Sequence, residues 1–154
     1  MSIDERLRSL GIVLPPATNP AANYTNYVVT GNLLFVAGKG PLPVDDKLPK
    51  GKLGREYTAD QGYSFARSAG MDILAVVRFA LGDLDQVARV VKLQGFVNAT
   101  PEFEEHAQVL NGCSDLMVEV FGPKGVHARS VFGAVSLRAN LPIVVDSIFE
   151  IAAR

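Results

Sequence analysis

The segment VARVVKLQGFV, which runs from Val87 to Val97, decides how this chain folds. It is rich in β-branched residues, its polar residues are isolated, and turn-forming residues follow it from Asn98 to Pro101. This composition predicts a central β-strand that ends in a turn. The elements predicted on either side of this strand then determine the layer architecture.

Two helices are predicted to flank the central strand. Thr58 and Gln61 fit a reciprocal capping box, and apolar residues recur at near-helical spacing from there up to Gly82. The second helix is expected roughly from Phe103 to Phe121, where Gly122-Pro123 terminates it. The central strand therefore lies between two helices in the chain order.

Further strands are predicted toward both ends of the chain. Tyr27 to Thr30 and Leu33 to Ala37 flank Gly31-Asn32, which is typical of a tight hairpin turn. Two more β-rich segments run from Ala128 to Val135 and from Ile143 to Ala152. This order of elements predicts an α+β domain in which both helices cover one face of a sheet.

The other face of that sheet would have no helix to cover it. We assign to this face a set of apolar strand residues, namely Val28, Val36, Val91, Phe132 and Val145. Because one domain of this size has no further helices, we expect the face to be covered by self-association.

Length and charge limit the classes of function. The 154 residues correspond to a single domain, 1–154, in which residues 1–22 form a short capped helix and a proline-rich extension. The net charge of -1 provides no basic field, so nucleic acid is not favoured as a partner. The apolar runs are too short for a membrane span, and the N-terminus lacks the apolar stretch of a secretory signal. Cys113 is the only cysteine, which suits a reducing compartment, so we expect a cytoplasmic protein.

Arg129 is the most informative candidate for chemistry, since it lies at the start of an apolar strand. Its guanidinium can bind a carboxylate through two parallel hydrogen bonds. Spacing alone favours the other interpretation, a strand-end arginine that is solvated or paired with an acid for structure.

Other candidate residues carry weaker signals. His106 and His127 are isolated and form no metal-ligand spacing, so we interpret them as surface or structural residues. Cys113 is spaced like a small apolar residue of the second helix, and Gly38-Lys39-Gly40 and Gly51-Lys52 are interpreted as turns. No metal site is predicted from these residues.

Several motifs occur in a specific order and separation: GNLLFVAG at Gly31 to Gly38, FVN at Phe96 to Asn98, LNGCSD at Leu110 to Asp115, ARSV at Ala128 to Val131 and IFE at Ile148 to Glu150. From about Tyr24 to the C-terminus the chain resembles the RidA family of reactive intermediate deaminases, also called YjgF or UK114. Its length and N-terminal helix resemble a longer branch of that family.

The resemblance implies a chorismate-mutase-like fold of the bacillus type, with a mixed sheet, and a homotrimer whose sheets form a central barrel with three clefts between subunits. It also implies hydrolysis of 2-imino or 2-enamino acids to 2-oxo acids and ammonia without a cofactor. Arg129 would hold the substrate carboxylate, Tyr24 and Asn111 would line the pocket, and backbone groups near Gly38 and Val131 would contact substrate or water.

One position departs from the family pattern. The acidic residue with which family deaminases orient water falls here on Val144, which cannot hold water. Asp146 lies on the same face but about 7 Å further along the strand. A binding protein for small carboxylate metabolites is therefore the main alternative. An endoribonuclease or translation inhibitor is a third possibility, against which the neutral charge argues.

Overall fold

The computed structural model describes residues 1–20 and 22–153. Ala21, in the predicted N-terminal extension 1–22, and Arg154, the last residue of the predicted domain 1–154, lie outside the described residues. The described strands are β1 (Tyr27–Thr30), β2 (Leu33–Lys39), β3 (Val87–Asn98), β4 (Ala128–Ala134) and β5 (Ile143–Ile151). In the described part they form a five-stranded mixed sheet in the order β1-β2-β5-β3-β4. β3 pairs with β4 in parallel, and the other pairs are antiparallel.

The helices are α1 (Ile3–Ser9), α2 (Ala59–Leu81) and α3 (His106–Phe121). The capping boxes predicted at the starts of α1 and α2 are both present. α3 begins at His106 and not at Phe103, because the Phe103 amide closes a turn on the Thr100 carbonyl at 3.2 Å. Glu105 then occupies the cap position without a side-chain hydrogen bond.

Both long helices cover one face of the sheet, as the order of elements predicts. The residues of β5 alternate strictly, with Ile143, Val145 and Phe149 fully buried under the helices. α2 and α3 approach each other closely at Gly112, where a Cβ atom would lie 1.9 Å from the Tyr63 carbonyl oxygen. This packing makes a rigid layer from which α3 faces the edge strand β4.

The open face of the sheet differs in part from the prediction. Val36 and Val145 belong to the core under the helices, because the pairing register places them on the helix-facing side. Val28 and Phe132 do lie on the open face and are 52% and 50% exposed. Val91 lies at a register irregularity of β3, between Val90 and Lys92, and is partly buried.

The open face is nevertheless apolar. Cross-strand registers place four further apolar side chains on it, from Phe35, Phe96, Val144 and Ile148. The rings of Phe96 and Phe132 lie 6.0 Å apart. None of the helices in the described part is long and apolar enough to cross a membrane.

Candidate functional site

The predicted site residues fall into two groups at opposite ends of the sheet. Arg129 and Val131 lie on the edge strand β4, and Asn111 lies on α3, which packs against it. Tyr24 and Gly38 lie just before β1 and at the end of β2. Because β5 and β3 separate β2 from β4, the two groups are about 14 Å apart at the usual strand spacing. One copy of the chain therefore does not bring them together.

The guanidinium of Arg129 lies against α3. The parallel register pairs Arg129 with Leu93, whose side chain is buried under the helices, so Arg129 points to the helix side of the sheet. Its Nη1 donates to Ser114 Oγ at 3.1 Å and its Nη2 donates to the Ala107 carbonyl at 3.3 Å. Asn111 lies between these two residues on the same helical face and is partly buried.

Arg129 has no acidic partner among the described residues. The ion pairs of residues 1–20 and 22–153 join Arg55 to Glu56 and Arg67 to Glu119. In the described part of the chain, the guanidinium of Arg129 donates to two neutral oxygens, Ser114 Oγ and the Ala107 carbonyl oxygen. This excludes the acid-paired structural arginine that spacing alone allowed, and it leaves a cationic fork whose charge is uncompensated.

Sequence reasoning missed two residues beside Arg129. His127 Nε2 lies 2.9 Å from Ser114 Oγ, and His127 Nδ1 lies 2.6 Å from the Gly125 carbonyl oxygen. Because a carbonyl only accepts, Nδ1 carries the proton and Nε2 accepts from the Ser114 hydroxyl in the neutral ring. Burial lowers the pKa of His127. The period-two spacing of His127 and Arg129 could have indicated a shared face.

The surface between β4 and α3, called the groove below, is defined by Arg129, Val131 and Gly133 on one side of β4 and by the residues of α3 that face them. A Cβ atom at Gly133 would lie 2.8 Å from His106 Nε2. At that end a cavity of about 520 Å³ is lined by Lys52, Arg55, Phe103, His106 and Val135, among others.

The second group lines a separate cavity of about 210 Å³. Tyr24, Gly38 and Arg138 lie on its wall. Val144 lies directly over Gly38, since a Cβ atom there would be 2.8 Å from Val144 Cγ1. Gly38 and Val144, the position where the resemblance leads us to expect an acidic residue, are therefore neighbours in this chain.

Lys39 lies beside this cavity but is only 4% exposed. Its Nζ donates to Asn26 Oδ1 at 2.6 Å and to Thr18 Oγ1 at 3.1 Å, and the Thr18 hydroxyl donates to Asp72 at 2.6 Å. Burial lowers the pKa of Lys39, while the nearby Asp72 raises it. The interpretation of Gly38-Lys39-Gly40 as a turn is wrong for Gly38 and Lys39, which belong to β2.

The Cys113 thiol and the possible metal ligands of the chain are further candidate reactive groups. Burial raises the pKa of the Cys113 thiol to about 12, so it is not a thiolate near neutral pH. In the described part of the chain, no group of three or more His, Cys, Asp or Glu side chains is arranged to hold a metal ion.

Comparison with known proteins identifies relatives over nearly the whole chain. Residues 4–150 match the family described as "YjgF/chorismate mutase-like, putative endoribonuclease". Protein TCP17 of Trypanosoma cruzi is 42% identical over 146 residues, covering 94% of this chain and 91% of its own.

Two crystal structures are closely similar as well. Atu1372 of Agrobacterium tumefaciens, of unknown function, is 41% identical with a TM-score of 0.88, over 97% of this chain and 92% of that one. A "putative endoribonuclease" of Shewanella oneidensis MR-1 is 30% identical with a TM-score of 0.94, over 98% of this chain and 100% of that one.

Proposed function

Because this chain belongs to the YjgF family, we propose that it hydrolyses 2-imino or 2-enamino acids to 2-oxo acids and ammonia, with Arg129 holding the substrate carboxylate. The observation that carries the proposal is the uncompensated guanidinium at the edge strand. Two N–H groups of Arg129 donate to neutral oxygens of α3, and its other N–H groups can donate to a ligand. A small carboxylate is the ligand whose charge and shape suit that fork best.

The rest of the groove suits the same ligand. Asn111 lies on the helical face between the two α3 contacts of Arg129, where its amide is within the same groove. Val131 adds an apolar wall that packs against the core. The carboxylate would be bound through Arg129, and water would add to the imine carbon next to it, after which ammonia leaves.

We further propose that the site is completed between copies in a cytoplasmic homotrimer. Gly38 lies three strand spacings from Arg129, and Tyr24 lies beside Gly38 in the same cavity wall, so both are too far from Arg129 to touch the same small molecule in one chain. The open apolar face supplies a surface that a neighbouring copy would cover. Tyr24 and Gly38 of one copy would then line the cleft that holds Arg129 of the next.

Ammonia release from freshly generated 2-imino acids tests the proposal directly. Arg129→Ala is expected to lower kcat/KM by about a hundredfold or more, because a charge-assisted bidentate contact is lost. Arg129→Lys keeps the charge but not the fork, and should recover only part of the rate. Arg78→Ala, on α2 and away from the groove, is the control. Equal rates in Arg129→Ala and wild type would refute the proposal that Arg129 holds the substrate carboxylate.

A second candidate is a binding protein that recognises small carboxylates without turnover. Val144 favours it, because a valine at the family's acidic position offers no oxygen to orient water. This alternative predicts that pyruvate binds through Arg129, measured by calorimetry, while no ammonia is released from imino acids. Endoribonuclease activity has less support, since the net charge is -1.

A further inference from the structure

We propose that Ser114 and His127 form a proton relay beside Arg129, in which Ser114 touches the reacting water and His127 is the positioning residue behind it. The inference deepens the proposed deaminase function and rests on it. It names the group that would move the proton in a chain whose usual acidic position is Val144.

The hydrogen bonds run in one direction from the arginine to the backbone. Arg129 Nη1 donates to Ser114 Oγ at 3.1 Å, the Ser114 hydroxyl donates to His127 Nε2 at 2.9 Å, and His127 Nδ1 donates to the Gly125 carbonyl at 2.6 Å. A hydroxyl, a base within hydrogen-bond reach and a third group that orients the base are the parts of an activated hydroxyl. One lone pair of Ser114 Oγ remains for a water molecule.

Ser114 does not use its hydroxyl as a helical serine commonly does. A serine inside a helix can bond the carbonyl four residues earlier, whereas the hydroxyl of Ser114 crosses from α3 to His127, just before β4. Ser114 and His127 are both partly buried, so the pair remains open to the groove.

Ser114 lies close to the guanidinium of Arg129, which we propose binds the substrate carboxylate. A carboxylate oxygen bound to Arg129 lies about 2.8 Å from a guanidinium nitrogen. Ser114 Oγ is 3.1 Å from Nη1 of the same guanidinium. The imine carbon is one bond beyond the carboxylate, and the proposal places it beside a water molecule that Ser114 would hold.

The proposed steps balance in atoms and charge. The water oxygen bonds to the imine carbon, the π electrons of the C=N bond move to nitrogen, and a water proton passes to Ser114 as the Ser114 proton passes to His127 Nε2. The imidazolium then returns the proton through Ser114 to the nitrogen. The same relay then carries the hydroxyl proton of this adduct to its nitrogen. The carbon–nitrogen bond breaks with its electron pair going to nitrogen, ammonia leaves, and the oxygen becomes the carbonyl of the 2-oxo acid.

The electrostatic environment keeps His127 neutral and able to accept. Burial lowers the pKa of His127, and Arg129 lowers it further, while the hydrogen bond to Gly125 opposes both. On β3, Arg89 reaches the adjacent Val126 carbonyl at 3.4 Å, and Lys124 lies in the preceding turn. The charged groups nearest to His127 in the chain and on the neighbouring strands are therefore cations.

The titratable groups of α3 are engaged elsewhere. Asp115 accepts from the Tyr63 hydroxyl at 2.6 Å, and Glu119 pairs with Arg67 at 2.8 Å. Burial raises the pKa of Cys113 to about 12, so its thiol stays neutral in the working range. None of these groups supplies a charge that would replace His127 as the base.

The test compares the pH dependence of kcat in the full-length protein with pyruvate affinity measured by calorimetry. Wild-type kcat is expected to fall as the pH drops through the pKa of His127, below its usual value of 6.5. His127→Gln and Ser114→Ala should lower kcat by about a hundredfold and abolish this acid limb. Ser114→Thr should restore it, because the hydroxyl is kept. Ser64→Ala is the matched control for Ser114→Ala, since the exposed Ser64 hydroxyl bonds only within α2, to the Asp60 carbonyl.

Pyruvate affinity separates the relay from a merely structural role. It should change less than threefold in Ser114→Ala, whereas a general distortion of Arg129 would weaken it together with kcat and would overturn the relay. An active wild type whose variants keep its rate and acid limb also overturns the relay and leaves the deaminase function standing. A wild type that releases no ammonia overturns both. If His127→Gln does not fold, Ser114→Ala and Ser114→Thr decide the question.

Discussion

The side chain of Val144 fills the space over Gly38, where a Cβ atom would lie 2.8 Å from Val144 Cγ1. The two residues lie on neighbouring strands, β5 and β2, at the point where their register shifts. The family resemblance expects backbone groups near Gly38 to contact substrate or water. In this chain those groups lie beside the apolar side chain of Val144. The resemblance places the acid of family deaminases at this position, where this chain has the apolar side chain of Val144 instead.

Replacement of Val144 by Glu is expected to raise the rate of imine hydrolysis. A water-orienting group commonly contributes about a hundredfold to ten-thousandfold in rate, and the new carboxylate would supply one. The desolvation of that carboxylate opposes the gain, so the melting temperature must be measured with the rate.

Val144→Gln is the matched control, because it has a similar shape without the charge. If wild type is already as fast as deaminases with the acid, and Val144→Glu stays folded without a gain, Val144 is not a functional loss. Asp146 or a backbone carbonyl would then be tested next.

The oligomeric state provides a second prediction. Phe132 lies on the open face, 50% exposed, beside Phe96. We expect wild type to have the mass of a trimer in light scattering, and Phe132→Glu to lower that mass because a buried charge at an interface is costly. Glu102→Gln, on an exposed turn, is the control. A monomeric wild type well above micromolar concentration contradicts the trimer.

The contact between α2 and α3 provides a third prediction. A Cβ atom at Gly112 would lie 1.9 Å from the Tyr63 carbonyl oxygen, which belongs to the backbone and cannot rotate away. Gly112→Ala should therefore lower the free energy of unfolding by about 1–3 kcal/mol or more, measured by urea denaturation. Gly70→Ala is the comparison, because its Cβ would meet side-chain atoms of Leu116 and Cys113 at 2.9 and 3.0 Å. An equal loss in both variants would contradict this account.

The pH dependence of stability provides a fourth prediction. The pKa of His127 is lowered in the folded chain, chiefly by burial, so below about pH 6.5 the unfolded chain binds the proton more readily. Folding stability should therefore decline as the pH falls from 7.5 to 5.5, and His127→Gln should reduce this decline. Urea midpoints at the two pH values measure it, with His106→Gln as control. An unchanged decline in His127→Gln would assign the effect to other groups.

Local sequence signals determined most of the secondary structure. The Thr58–Gln61 capping box and the β-branched segment around Val90 act through neighbouring residues, so their outcome is visible in the sequence. The predicted start of α3 at Phe103 is wrong because the turn that closes on Thr100 competes locally with the helix there.

The faces of the strands required the tertiary structure. Period-two alternation tells which residues share a face, but not which face the helices cover. The prediction that Val36 and Val145 lie on the open face is therefore wrong, and their registers with Ser147 and Gly95 place them under the helices. A shift of one residue reverses every side chain of a strand, and irregularities such as the one at Lys39 are not visible in the pattern.

The sequence by itself determined most helices and strands, the family, and the choice of Arg129 as a candidate binding residue. These depend on residue types at short or ordered separations along the chain. Only the tertiary structure decided what surrounds Arg129. Ser114 and His127 are brought into contact by the packing of α3 on β4, while Tyr24 and Gly38 are held at the far side of the sheet by the strand order. Strand order and helix docking follow from burial summed over the whole core, which no local stretch of sequence encodes.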